Sequence, residues 1–149
     1  GFQAGLSWIT ILRKRDHFFK AFDGFDPFKM IAYGPEKIDS LMQDSGIIRN
    51  RLKIESSVTN AQTWLKIQET EGSFSEFLWK FVGGSPIQNS WNSDKEVPTE
   101  TAESRMMSKA LKQRGFRFCG PTITYAFMQA VGMVNDHTTT CFRHSEVKN

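Results

Sequence analysis

The chain has 149 residues, 39% hydrophobic and 13% aromatic, enough to bury one sizeable core, and a single domain over residues 1–149 is expected. No run approaches the roughly 18 to 20 apolar residues of a membrane span, and the first residues lack the basic-then-apolar order of a secretory signal, so no membrane partner and a cytoplasmic location are expected. Two cysteines, Cys119 and Cys141, imply no disulfide framework, and a net charge of +3 permits a polyanionic partner without requiring one.

In chain order, Trp8, Ile11, Leu12, Phe19 and Phe22 fall at helical spacing, with Ser7 placed to cap the start and Arg13, Lys14 and Arg15 on the other side. The turn "DGFDPF" ends that segment. Residues Glu36 to Gln43 read as a short helix stopped by Ser45-Gly46, and "IIRNRLKIESSVTNAQTWL" opens a longer one through Ile54, Val58, Ala61 and Leu65. Phe74, Phe77, Leu78, Phe81 and Val82 repeat as i, i+3, i+4, i+7, i+8 and form core; Gly83-Gly84 halts the run. The polar stretch from Ser85 to Glu103, with Pro86 and Pro98, reads as a surface loop. Nothing alternates at period two, so the fold class is all-α.

The stretch "SRMMSKALKQRGFRFCGPTITYAFMQAVG" at 104–132 carries the most information. Arg105, Lys109 and Lys112 share one helical face, while Met107, Ala110 and Leu111 share the opposite one. Gly115 supplies a left-handed stop, "FRFCG" a short connection, and Pro121 a start for the next helix, because its missing N–H would be an orphan there. A helix-hairpin-helix results, and the amides opening its second helix offer a seat for phosphate. Between Arg105 and Arg117 stand five basic residues and no acidic one. Two readings are open: a solvated basic helix packed through its apolar side, or a clasp on the sugar-phosphate backbone that leaves sequence unread. In the second, the contacts are Lys109, Lys112 and Arg117, with Gly120 and Thr122 at the start of the second helix.

Several motifs, in order over nearly the whole chain, resemble the bacterial DNA-3-methyladenine glycosylase I family of the helix-hairpin-helix superfamily. They are "QAGLSW" at 3–8, "DSGIIRNRLKI" at 44–54, "SKALKQRGFRFCGPT" at 108–122, "FMQAVGMVNDH" at 127–137, and the spacing from His137 to Cys141. The resemblance implies a compact helical domain, a monomer that acts on alkylated double-stranded DNA and releases N3-methylated adenine. It implies that Gln3, Gly5 and Leu6 form a turn filling the gap a flipped nucleotide leaves, and that Trp8 is the aromatic wall of the base pocket. Residue spacing alone reads Trp8 as the first core aromatic of its helix, since Ile11 and Leu12 follow it.

The family's base-recognising glutamate stands immediately before the glycine matched here by Gly1, so the sequence is expected to be shortened at its N-terminus relative to the family, with no catalytic residue assignable in it. The family also holds a structural zinc on four ligands. Two are matched here, by His137 and Cys141, and zinc is expected to bind poorly. Asp136 lies near the position of the superfamily's catalytic aspartate, but "NDH" departs from the usual arrangement, and a capping or hydrogen-bonded structural carboxylate is expected. Bifunctional relatives form a Schiff base through a lysine near the second hairpin helix; no lysine stands between Lys112 and Lys148, which implies a monofunctional enzyme. Arg49 and Arg51 either face DNA phosphates or pair with Asp44 and Glu55, and His17 reads as a surface or helix-packing residue. The alternative function is a noncatalytic helix-hairpin-helix DNA-binding module. An acidic residue encoded in frame just before Gly1, preceded by Cys and His, would restore the enzyme.

Overall fold

The computed structural model describes residues 1–148, and these are mostly helical. The helices are α1 (Trp8–Leu12), α2 (Arg15–Ala21), α3 (Pro27–Met30), α4 (Pro35–Gln43), α5 (Arg51–Glu71), α6 (Phe74–Trp79), α7 (Ala102–Gln113), α8 (Pro121–Ala130) and α9 (Phe142–Glu146). Two strands of two residues, β1 (Ile87–Gln88) and β2 (Val134–Asn135), pair in parallel. The chain divides into two units, one of residues 1–72 and 111–119, the other of 73–110 and 120–149.

The first unit is built on aromatic and aliphatic burial. Phe18, Phe22, Met30, Ile38, Leu41, Ile47, Ile54 and Ala61 form its core, with Phe2 and Tyr33 packed against them. The helix expected over Trp8 to Phe22 is broken in two. Lys14 leaves helical geometry, and its ammonium donates to the carbonyls of Ser45 (2.8 Å) and Gly46 (3.3 Å), a tertiary demand that helical periodicity does not encode. His17 packs against Gly46 as a helix-packing residue. Further on, α5 begins at Arg51 rather than at the isoleucines, because the Asn50 side chain accepts from the Lys53 amide (3.0 Å) and satisfies a donor of the first turn.

In the second unit the phenylalanine run folds as expected: α6 and a 3-10 turn over Lys80–Val82, ended by Gly83. Phe77 and Leu78 are buried, and Phe77 meets Phe81 edge-on with centroids 5.5 Å apart. The all-α class holds, and the surface loop expected from Ser85 to Glu103 is corrected in one detail. The Ile87 amide donates to the Met133 carbonyl (2.9 Å) and the Asn89 amide to the Asn135 carbonyl (3.2 Å), so part of the expected loop is a short parallel ladder. Strands of two residues are too short to show an alternation.

Candidate functional site

The opening segment is a pair of tight turns. The Ala4 amide donates to the Gly1 carbonyl (3.0 Å) and the Leu6 amide to the Gln3 carbonyl (2.8 Å), and Gly5 takes a φ of +75°, which a side chain would strain. Phe2 ties this segment to the core, its ring 4.5 Å from that of Phe18 and 5.2 Å from that of Phe22. Gln3 is half-buried, whereas Leu6 is 38% and Trp8 56% exposed. The helix α1 buries no residue, so the reading of Trp8 as a core aromatic fails. Ser7 begins that helix in extended geometry, but its hydroxyl meets the Thr10 hydroxyl (2.7 Å) instead of capping an amide.

The basic segment has the turn chemistry its sequence predicts. At the end of α7 the Gly115 amide donates to the Lys112 carbonyl (3.0 Å) and the Phe116 amide to the Leu111 carbonyl (3.0 Å), with Gly115 at φ +106°. These two bonds make a Schellman motif and satisfy carbonyls the helix leaves open. Beyond it, Gly120 precedes α8 in extended geometry without a side-chain cap, Pro121 occupies the first turn, and Thr122 is exposed.

Five basic side chains are not five free charges. Arg105 pairs with Glu100 (3.1 Å) and Arg114 with Glu71 (2.7 Å). Lys109, Lys112 and Arg117 are exposed and engage in no ion pair among the described residues. Of the "RNR" cations, Arg51 pairs with the expected Glu55 (3.6 Å) and with Asp39, Arg49 is exposed, and Asp44 accepts from the Gly46 amide (2.7 Å).

Three residues of this site escape the sequence reading. Asn60 accepts from the Arg117 amide (2.8 Å) and donates to the Arg117 carbonyl (3.1 Å), clasping the connection after α7 as a strand neighbour would. Lys53 is buried, and its ammonium donates to the carbonyls of Phe2 (2.9 Å) and Ala4. Phe2 is the third. The available signal was two polar residues seven apart on one helix, Lys53 and Asn60, which share a face after two turns. In the second unit, His137 Nδ1 and Cys141 Sγ lie 3.7 Å apart. One edge of a tetrahedral zinc site spans roughly 3.5 Å, given Zn–N near 2.0 and Zn–S near 2.3 Å, so this pair fits half of such a site. No group of three or more potential ligands occurs among the described residues.

Residues 1–144 match the family model described as methyladenine glycosylase. The chain belongs to the methyladenine glycosylase family. It is 47% identical over 141 residues to DNA-3-methyladenine glycosylase 1 of Escherichia coli K12, covering 95% of this chain and 75% of that protein. It is 48% identical over 141 residues to the DNA-3-methyladenine glycosylase of Haemophilus influenzae, covering 95% and 76%. Among solved structures, that of 3-methyladenine recognition by 3-methyladenine DNA glycosylase I from Staphylococcus aureus superposes with a TM-score of 0.91 at 38% identity, covering 95% of this chain and 75% of that one.

In this family member Asp136 is a hub of hydrogen bonds. It accepts from Asn89 Nδ2 (2.7 Å), Trp91 Nε1 (2.8 Å), the Tyr125 hydroxyl (2.6 Å) and Gln129 Nε2 (2.8 Å). Burial alone would push its carboxyl up; the four donors outweigh burial and hold it below the ordinary carboxylate value. This stabilisation is full above about pH 4, the unfolded value, and is lost as pH falls through the lowered folded value. Asp136→Ala orphans four donors and is expected to cost about 3 kcal/mol in urea unfolding at neutral pH. As pH falls below about 4 the parent should lose stability that Asp136→Asn has already lost; parallel pH profiles would contradict this.

Proposed function

We propose that this protein is a monofunctional DNA repair glycosylase that hydrolyses the N-glycosidic bond of 3-methyladenine in alkylated double-stranded DNA. The observation that carries the reading is an exposed Trp8 at the end of an opening segment anchored in the core and seated against the connection after α7. A Cβ on Gly1 would lie 3.5 Å from the Phe118 Cβ. An aromatic left in solvent beside a tight turn suits stacking on a base that has left the duplex.

Methylation at N3 makes the base cationic and a good leaving group. The C1′–N9 bond breaks with its electrons going to the base, which departs as neutral 3-methyladenine; water adds at C1′ and gives up a proton, leaving an abasic sugar. The protein then has to extract the nucleotide, hold the base and favour a sugar of oxocarbenium character more than the ground state. In this reading Gln3, Gly5 and Leu6 fill the gap and Trp8 walls the base. The phosphate contacts in this reading are Lys112 and Arg117 of the first unit, and Lys109 with the α8 start at Gly120 and Thr122 of the second. The enzyme works as a monomer in the cytoplasm, where bacterial DNA lies.

The zinc of the family would be held here by His137 and Cys141, which offer two of four ligands, and we expect exhaustively desalted protein to carry well under one equivalent of zinc by atomic absorption; a stoichiometric content would overturn that. The glycosylase reading is tested by incubating alkylated duplex with the protein and counting abasic sites, with borohydride present in a parallel reaction. Abasic sites on an uncut strand are expected. No abasic sites would refute the activity, and a trapped protein–DNA adduct would refute monofunctional chemistry.

A further inference from the structure

Among the described residues one cation, Lys53, is buried. Lys53 is 8% exposed, near the N-terminal end of α5, and forms no ion pair among the described residues. A buried charge without a counterion is costly unless dipoles replace its water. Here they are two carbonyls of the opening segment, Phe2 at 2.9 Å and Ala4, and the face of the Phe118 ring, whose centroid is 5.6 Å from Nζ. Burial pushes the ammonium pKa down. Phe118 itself has a φ of 55°, a left-handed conformation that a bulky side chain adopts only when its surroundings enforce it. The adjacent Arg117 backbone is the one clasped by Asn60, two helical turns along α5 from Lys53.

Resting on the glycosylase reading above, we propose that Lys53 is a positioning residue for base extraction: its ammonium locks the Gln3–Gly5–Leu6 turn to the Phe118 side of the hairpin. The tip that enters the duplex then stands at a fixed place relative to Arg117 and Phe118 of the same unit. Without that lock the hairpin still holds DNA, but the turn reaches the gap in the wrong place. Misplacement by about an ångström costs on the order of 100-fold in rate.

Lys53→Met keeps the length of the side chain and removes the charge and both donors. Single-turnover release of 3-methyladenine is expected to fall about 100-fold, with duplex affinity within about threefold of the parent. Amide hydrogen exchange in residues 1–8 should accelerate about tenfold while that of the 114–118 segment is unchanged. Lys53→Arg, which restores charge and donors, is expected to recover most of the lost rate. If circular dichroism shows Lys53→Met unfolded, Lys53→Gln serves instead, with the same pattern at about a tenth of the size. A folded variant with parental exchange and parental rate would overturn the proposal, as would a rate and affinity that fall together in proportion. A parent protein that releases no base refutes the glycosylase reading, while the exchange experiment still reads whether Lys53 fixes the turn.

Discussion

Trp8→Ala is expected to cut single-turnover release of 3-methyladenine by about 100-fold, the loss of one aromatic stacking partner worth up to about 3 kcal/mol. Binding to undamaged duplex should not change, because the proposed backbone contacts Lys109, Lys112 and Arg117 do not include Trp8. Nor should stability: Trp8 is exposed on a helix that buries nothing, so urea unfolding is expected to shift by less than about 0.5 kcal/mol. That combination separates a pocket wall from a core residue, since truncating a buried Trp would cost about 3 to 5 kcal/mol. Retained turnover would show that Trp8 lines no base pocket.

Replacing Lys109, Lys112 and Arg117 together by Ala is expected to weaken duplex binding about 100-fold at low salt. The log–log salt slope should become shallower by about 2 to 3, roughly 0.9 for each phosphate no longer neutralised. These three are chosen because they are exposed without ion pairs; Arg105 and Arg114 already spend their charge on Glu100 and Glu71. Arg105→Ala therefore serves as an internal control, with a much smaller effect on the slope. An unchanged slope for the triple variant would remove this surface from the DNA interface and favour a solvated basic helix.

Where the sequence carried strong local signals, the structure follows them. Gly115 ends α7 and Pro121 opens α8 because a left-handed stop and an N–H-free start are local properties of those residues. Helical spacing from Phe74 onward reproduces α6 and its continuation for the same local reason. Long-range demands were not legible. The break at Lys14 depends on carbonyls 31 and 32 residues away, and the β1–β2 ladder joins segments too short to show a period. The site divides in the same way. Motif residues such as Gly5, Leu6 and Trp8 could be named from resemblance, whereas Lys53 and Asn60 work through backbone groups of distant segments, and no pattern of residue types announces a carbonyl as a partner. Asp136 lies between: a hydrogen-bonded structural carboxylate was expected, but its four donors come from separate stretches of chain.

The proposal that an anchored turn and an exposed indole draw an alkylated base from a clasped duplex meets its most direct test in the chromatography of bases set free. Methylated duplex is incubated with the protein, and the supernatant is resolved against authentic standards. Free 3-methyladenine rising with time for the parent, and close to background for Trp8→Ala, is the expected result. A supernatant without 3-methyladenine from a protein that still binds duplex would contradict it and leave a DNA-binding module in its place.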